Sequence, residues 1–174
     1  MKQIIFRYGI IAMLVVVVLG FINCLVIQPE VGYTASEIGG YLTIVVSMIF
    51  VFLGIRYYRN HVNNGTLSFG RGMKVGVLIV TIPSVAFGLF SLLYSRVINP
   101  EWQQEYYDHA LETLKQNTAP EKLQAAIDKL ESQRELFSSP VMEFLIMFVT
   151  VFVIGVIVTI ISSLTLKRNK PVTA

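Results

Sequence analysis

The sequence predicts an all-α membrane protein with four transmembrane helices and an extracytoplasmic amphipathic helical hairpin between helices 3 and 4. Three observations predict this fold. Of the 174 residues, 54% are hydrophobic and only 14% are charged, whereas soluble domains are about 25% charged. Four apolar runs approach or exceed the about 20 residues that cross ~30 Å of hydrocarbon. Lys and Arg gather on alternate sides of these runs. We treat residues 1–174 as a single integral membrane domain.

The first predicted span, 8–27, follows Lys2 and Arg7 and resembles a signal peptide. A cleaved signal has a core of 7–15 residues and small residues before the cut. Here the run is longer, and residues 21–23, before Cys24, are Phe, Ile and Asn. We therefore predict a retained helix. Cys24 is the single cysteine, which excludes an intrachain disulfide and a Cys-based zinc site.

The second predicted span, 38–58, follows an outer loop at 28–37. A proline and Gly32 are predicted to break the helix in this loop. Thr34 and Glu37 have the spacing of a capping box, which would satisfy free N–H groups at the start of the second span. The loop carries acids but no Lys or Arg, whereas four basic residues follow the span. Cationic residues are retained on the cytoplasmic side, so this helix is predicted to run inward.

A glycine-rich string lies in the predicted cytoplasmic loop, 56–74, and enters the third span. Its candidate functional or packing residues are Gly65, Ser68, Phe69, Gly70, Arg71, Gly72, Lys74 and Gly76. The string imitates a phosphate loop, but Arg replaces the lysine, Gly replaces the hydroxyl residue, and no strand leads into it. The structural interpretation is favoured, because two glycines four residues apart form a small-residue face for helix contact.

The same string carries apolar and basic side chains side by side. Leu67 and Phe69 are predicted to dip into the membrane interface. Arg71 and Lys74 are predicted to face anionic head groups.

The third predicted span, 75–95, contains Pro83, which is expected to kink it by removing a backbone hydrogen bond. Ser84 and Gly88 continue the small-residue face. These residues either pack against another helix or line a polar crevice at the kink. Packing is favoured, because no ionisable residue lies deep in any span and transporters usually need one.

The polar segment 99–139 is predicted to form the outer hairpin of two amphipathic helices. Asn99–Pro100 is expected to start the first helix, and Thr118 and Glu121 to cap the second. The segment carries eight acids and four basic residues. Its apolar stripes pack on each other, lie on the outer leaflet, or present a groove to a partner protein.

The first hairpin helix carries four side chains of the metal-ligating types. They are Glu105, Asp108, His109 and Glu112. Acids with one histidine are more often a solvated helix face than a metal site. We therefore predict no metal ligand, no cofactor and no catalytic residue.

The fourth predicted span, 141–166, begins after Ser139 as the N-cap and Pro140 at the first helical position. Glu143 lies in its first turns and is the most membrane-immersed acid in the chain. It is therefore the acid whose function we would test first. A second small-residue face is formed by Gly155, Thr159 and Ser163, which we expect to meet the face on the third span.

The charges fix a predicted topology in which both termini are cytoplasmic. Nine of the 14 basic residues and none of the 11 acids lie in the predicted inner segments. These nine are Lys2, Arg7, Arg56, Arg59, Arg71, Lys74, Lys167, Arg168 and Lys170. An inverted protein would place them all outside, against the retention of Lys and Arg.

The layout and the glycine-rich string resemble a bacterial membrane-protein family catalogued as domain of unknown function 4199. The matching positions are Gly65, Ser68, Phe69, Gly70, Lys74, Gly76, Asn99–Pro100 and Pro140. The resemblance covers nearly the whole chain and implies a multi-pass protein of the bacterial inner membrane. It implies no activity.

These observations favour a non-enzymatic accessory or scaffolding subunit. The expected partners are membrane lipids and a protein partner or a second copy of the chain, with no nucleic acid, because the basic residues flank apolar runs instead of covering a soluble face. The alternative is a small oligomeric transporter or channel that uses Thr81, Pro83, Ser84 and Glu143.

Overall fold

The computed structural model describes residues 1–168, which form six α-helices. They are α1 (Lys2–Ile22), α2 (Gln28–Tyr57), α3 (Phe69–Leu93), α4 (Trp102–Asn117), α5 (Pro120–Ser138) and α6 (Pro140–Thr165). The β pairing within this range is one antiparallel bridge between Leu67 and Arg168. The predicted inner cation Lys170 and the tail 171–174, expected to be disordered, lie outside the described residues.

Short π-helical turns prolong three of the helices. Asn23–Ile27 joins α1 to α2, Tyr58–Val62 extends α2, and Tyr94–Ile98 extends α3. Three helical stretches are consequently long and apolar enough to cross a membrane. These stretches are Lys2–Val62, Phe69–Ile98 and Pro140–Thr165.

The first of these stretches is 61 residues long. A straight helix of that length would extend ~90 Å, about three times the thickness of the hydrocarbon layer. The helix is interrupted at Gly32, whose backbone has φ 79° and ψ 175°. This conformation is essentially restricted to glycine. The predicted break at Gly32 therefore has a direct backbone cause, whereas the proline before it sits in the first turn of α2, where proline is tolerated.

The chain reverses direction at this break, so that α1 and α2 lie side by side. The rings of Tyr8 and Tyr57, which are far apart in sequence, have centroids 5.9 Å apart. Nearer the break, the Asn23 side-chain amide donates to the carbonyl oxygen and the hydroxyl of Ser36, at 2.9 and 3.0 Å. Contacts between these positions require two antiparallel helices.

The structure divides into two compact units. The first contains residues 1–87 and the chain from 148 onward, and the second is Gly88–Met147. The first unit has an apolar core to which α1, α2, α3 and α6 all contribute. Its members include the fully buried side chains of Val16, Met48, Ile55, Ile79 and Val151.

Small residues allow α3 and α6 to approach closely in the first unit. A methyl group added at Gly72 would lie 2.6 Å from the Ser163 hydroxyl oxygen. One added at Gly76 would lie 2.8 Å from the Thr159 hydroxyl oxygen. These distances are shorter than van der Waals contact, so only glycine fits there. The two small-residue faces expected from the sequence do meet.

The connections are shorter than the sequence analysis predicted. The outer loop expected at 28–37 is helical apart from Gly32, and the inner loop expected at 56–74 is reduced to residues 63–68. The sequence predicts that the glycine-rich string lies in the loop as far as residue 74, but α3 begins within the string at Phe69. Close packing against α6 compensates for the poor helix propensity of Gly72 and Gly76.

Two predicted helix caps in the second unit are wrong in detail. The helix α4 begins at Trp102, and Asn99 accepts the Trp102 N–H through its backbone oxygen at 3.2 Å, so Pro100 precedes the helix. Helix α5 is capped by Ala119, not Thr118, and without a side-chain hydrogen bond. The start of α6 at Pro140 agrees with the prediction.

The helices α4 and α5 contact each other through polar and aromatic side chains. The Arg134 guanidinium lies over the Tyr107 ring at 4.6 Å and donates to the Gln104 side-chain oxygen at 2.5 Å. The Gln103 amide donates to the Phe137 carbonyl oxygen at 3.2 Å. No residue of either helix is buried.

Candidate functional site

The candidate site is built around Glu143, in the first turn of α6. The Glu143 N–H donates to the Ser139 carbonyl oxygen at 2.9 Å, which is the first helical bond after the Ser139–Pro140 start. Its side chain is only 1% exposed. Burying a carboxylate is costly unless hydrogen bonds and opposite charge compensate for lost water.

Two serine hydroxyls satisfy one oxygen of this carboxylate. Ser91 and Ser95 lie one helical turn apart, in α3 and in the π turn that follows it. Both donate to Glu143 Oε1, at 2.8 and 2.6 Å. Residues four apart share one helix face, so the pair presents two donors to one acceptor.

An arginine and a glutamine satisfy the other oxygen. Gln103 Nε2 donates to Glu143 Oε2 at 3.2 Å, and Arg96 Nη2 lies 3.4 Å from the same oxygen. Arg96 also donates to the carbonyl oxygens of Phe137 and Ser138, at 3.1 and 2.9 Å. The side chain of Arg96 is 39% exposed, so water weakens this ion pair relative to a fully buried one.

The arrangement joins four elements of the second unit through one side chain. Glu143 connects α6 to α3, to the π turn and to α4, and Arg96 adds the end of α5. Each carboxylate oxygen accepts two donors, which leaves little capacity for a further ligand. We name Ser91, Ser95, Arg96, Gln103 and Glu143 the Glu143 cluster.

The Glu143 cluster lacks the parts of a hydrolytic site. A serine nucleophile needs an adjacent base, usually histidine, that is itself oriented by a third group. Ser91 and Ser95 instead donate directly to the Glu143 carboxylate, and the Glu143 cluster contains no histidine. The cluster is therefore better suited to fixing helices than to covalent chemistry.

The glycine-rich string belongs to the first unit and has two parts. Gly65 has φ 74°, and its N–H donates to the Arg59 carbonyl oxygen at 2.8 Å. The Ser68 carbonyl oxygen accepts the Gly72 N–H at 3.0 Å, just before α3. Gly70 has open space around it, whereas Gly72 and Gly76 are packed against α6. The string thus forms a turn followed by a helix start.

The apolar and basic residues of the string differ in exposure. Phe69 is 38% exposed, and Arg71 and Lys74 are exposed. Leu67 is fully buried and does not dip into an interface, because its backbone pairs with Arg168. Arg71 donates to the Asn63 side-chain oxygen at 2.8 Å.

Pro83 lies inside α3 and is fully buried. The polar side chains beside it are used within the helix, since Thr81 donates to the Val77 carbonyl oxygen at 2.9 Å and Ser84 to that of Val80 at 2.8 Å. These bonds do not leave the hydroxyls of Thr81 and Ser84 directed at a crevice. Within residues 1–168, no group of three or more His, Cys, Asp or Glu has the geometry to hold a metal ion.

Sequence reasoning selected Glu143 but not its partners as a group. Ser91 and Ser95 follow the small-residue face of the third span, and Arg96 has the position of an interface residue, but no sequence pattern links these residues or Gln103 to Glu143. The available signal was the spacing of the two serines with a following arginine, opposite the single acid of a span. An acid in that position is expected to have a partner.

The comparison with protein families gives a match over most of the chain. Residues 7–168 match the family described as "Protein of unknown function (DUF4199)". The chain belongs to this family. The resemblance predicted from the glycine-rich string and the layout is thereby confirmed, and the DUF4199 description names no activity. No curated protein and no solved structure matches the chain.

Proposed function

We propose that this DUF4199 protein is a non-enzymatic subunit of the bacterial inner membrane, which binds a partner through the surface of α4 and α5. It crosses the membrane four times, with both termini in the cytoplasm and α4 and α5 outside. The role is accessory or scaffolding. No cofactor or metal takes part.

The fold-back at Gly32 supports four crossings. It divides the stretch Lys2–Val62 into two antiparallel helices, each long enough to span the hydrocarbon layer. With Phe69–Ile98 and Pro140–Thr165, this makes four spans. Large apolar side chains remain exposed along them, as a lipid environment requires, including Leu14, Leu42, Ile49 and Ile157.

The observation that carries the proposed role is the combination of fixed position and open surface in α4 and α5. Gln103 and Arg96 tie these helices to Glu143, the one buried acid among the described residues. The helices themselves contribute no buried residue. A surface held in a fixed position loses little further conformational entropy when a partner binds, which supports a role in recognition.

The test is affinity purification of the tagged protein after mild detergent extraction and chemical crosslinking. We expect a defined complex that Glu121→Lys with Glu131→Lys abolishes, because two of the four exposed acids of α5 would reverse charge. The matched control is Glu30→Lys with Glu37→Lys, the same change at exposed acids in the first half of α2. A monomer without co-purified protein or lipid would contradict the proposal, as would equal loss in both variants.

A flux assay distinguishes the proposed role from the rival function, which is a small oligomeric transporter or channel. Purified protein in liposomes would be tested for ion and small-solute release, alone and with Glu143→Gln or Pro83→Ala. Flux in the unmodified protein that either substitution abolishes would favour transport. Absence of flux, together with the complex described above, favours the accessory role.

A further inference from the structure

A group of three arginines in the first unit surrounds an ordered loop at residues 63–68. Asn64 and Gly65 have positive φ angles, of 49° and 74°, which turn the chain sharply. The Asn63 amide donates to the Thr66 carbonyl oxygen at 2.6 Å and closes the turn. Leu67 then exchanges two backbone hydrogen bonds with Arg168, at 2.8 and 3.0 Å. The loop is therefore fixed to the end of α6.

Hydrogen bonds hold three separate segments, each carrying an arginine, around this loop. Arg59, after α2, donates to the Leu166 carbonyl oxygen at 3.5 Å. Arg71, in α3, donates to Asn63 of the same loop. Arg168 is held beside Leu67 by the bridge and is exposed. We name Arg59, Arg71 and Arg168 the arginine cluster.

No carboxylate neutralises the arginine cluster among residues 1–168. The ion pair found there joins Arg96 to Glu143, in the second unit. The acids of the first unit are Glu30 and Glu37, and Glu37 precedes Arg59 by 22 residues of continuous helix and π turn. At 1.5 Å per residue that separation is ~33 Å, several times the Debye length of about 8 Å. Neither acidic side chain of the first unit therefore neutralises the cluster, which leaves its charge accessible to a bound anion.

Exposed apolar side chains near the arginines in sequence indicate what kind of anion the cluster binds. Val62 is 48% exposed, Phe69 38% and Leu164 58%, and each adjoins or lies close in sequence to a segment that carries one of the arginines. A soluble phosphate makes no use of apolar surface, whereas a phospholipid presents a phosphate next to its acyl chains. Arginine matches the phosphate geometry through two parallel N–H donors.

We propose that the arginine cluster binds the phosphate head group of an anionic phospholipid, with the acyl chains against Val62, Phe69 and Leu164. The inference deepens the proposed function and depends on its membrane insertion, since it places residues 59–71 at the head-group level of the cytoplasmic leaflet. It does not depend on the surface of α4 and α5. The phospholipid thereby joins the ends of α2 and α6 to the start of α3.

The test is native mass spectrometry of the full chain in detergent, with added phosphatidylglycerol or phosphatidylcholine. We expect phosphatidylglycerol to remain bound preferentially. Each basic residue near an anionic surface contributes roughly fivefold in affinity, so Arg59→Gln, Arg71→Gln and Arg168→Gln together should weaken retention roughly 100-fold. The single variant Arg71→Gln should weaken it about fivefold, and it leaves the Arg59 and Arg168 contacts intact.

The matched control removes the same charge elsewhere. Lys115→Gln, Lys122→Gln and Lys129→Gln replace three exposed cations of α4 and α5 and should leave retention unchanged. Equal retention of the two lipids by the unmodified protein would overturn the inference, as would equal loss in the control. Displacement of phosphatidylglycerol by millimolar inorganic phosphate would also overturn it, because the site would then recognise free phosphate. Failure here, with the complex of α4 and α5 intact, would leave the proposed function standing.

Discussion

Glu143 is the residue on which the order of the second unit depends most. Four side chains donate to a carboxylate that is 1% exposed. Removing the Glu143 carboxylate takes the acceptor from the Ser91 and Ser95 hydroxyls, and a buried donor without an acceptor costs more than the hydrogen bond contributed. We therefore expect substitutions of Glu143 to destabilise the second unit, although we assign this residue no catalytic role.

We predict that Glu143→Ala lowers the free energy of unfolding by about 2 kcal/mol, because two serines and a half-exposed arginine lose their acceptor. Glu143→Gln should cost less, about 1 kcal/mol, since one carbonyl acceptor remains. The measurement is thermal unfolding in detergent, followed by the fluorescence of Trp102. This is the single tryptophan, and its ring lies 6.2 Å from that of Tyr94.

The control is Glu131→Gln, which removes an exposed acid from α5 and should leave the melting temperature unchanged. A melting temperature of Glu143→Ala equal to that of Glu131→Gln would show that the Glu143 cluster contributes nothing to stability.

The sequence identifies Glu143 as a candidate residue but does not predict which side chains surround it. An acid near the end of an apolar run is conspicuous by hydrophobicity alone. Its partners come from α3, from the π turn that follows α3, and from α4. Nothing in the local sequence distinguishes Gln103 from a glutamine that is exposed to solvent. Which polar residue meets which acid depends on helix packing that a single chain pattern does not specify.

At the scale of elements, the packing of α3 on α6 and the start of α6 were predictable, whereas the starts of α4 and α5 were not. Spacing of four between Gly72 and Gly76, and between Gly155, Thr159 and Ser163, marks a face for close helix contact. Helix ends depend on competing local bonds. The capping box predicted at Thr118 and Glu121 does not cap α5. Pro120 restricts the residue before it, Ala119, to an extended conformation, so the helix begins after Ala119.

We predict that Gly76→Ala destabilises the first unit by about 2 kcal/mol, because the new methyl group would overlap Thr159 and Ile55. Gly70→Ala is the matched control, since Gly70 lies in the same helix with open space around it. There the substitution should stabilise by up to about 1 kcal/mol through lower backbone entropy of the unfolded chain. Both effects are read from melting temperatures in detergent.

Opposite signs for the two alanine variants are the decisive result. If Gly76→Ala were as stable as Gly70→Ala, α3 and α6 would not approach closely at this position.

At the scale of the whole molecule, composition and charge carried the prediction of an all-helical membrane protein. Low charge content is expected of a membrane protein, because placing a charged residue in hydrocarbon has a high free-energy cost. The asymmetric placement of Lys and Arg predicts orientation, because cationic residues are retained on the cytoplasmic side. Function is less accessible from the sequence, because the surfaces proposed here for recognition are exposed, and the hydrophobic pattern constrains exposed positions least.

Four membrane crossings put each connecting segment on a defined side of the membrane, which cysteine labelling in intact cells detects. Cys24 is the single cysteine, so Cys24→Ser provides a clean background. Into it we would introduce Glu30→Cys, Val62→Cys, Lys122→Cys and Lys167→Cys, each at an exposed position. The reagent is a maleimide that cannot cross the inner membrane.

We predict that the cysteines at positions 30 and 122 react in intact cells, and that those at 62 and 167 react only after the membrane is opened. This alternation requires that Lys2–Val62 cross twice and that α4 and α5 lie outside. Equal reactivity at positions 122 and 167, or protection of position 30 together with position 62, would contradict the four-crossing topology.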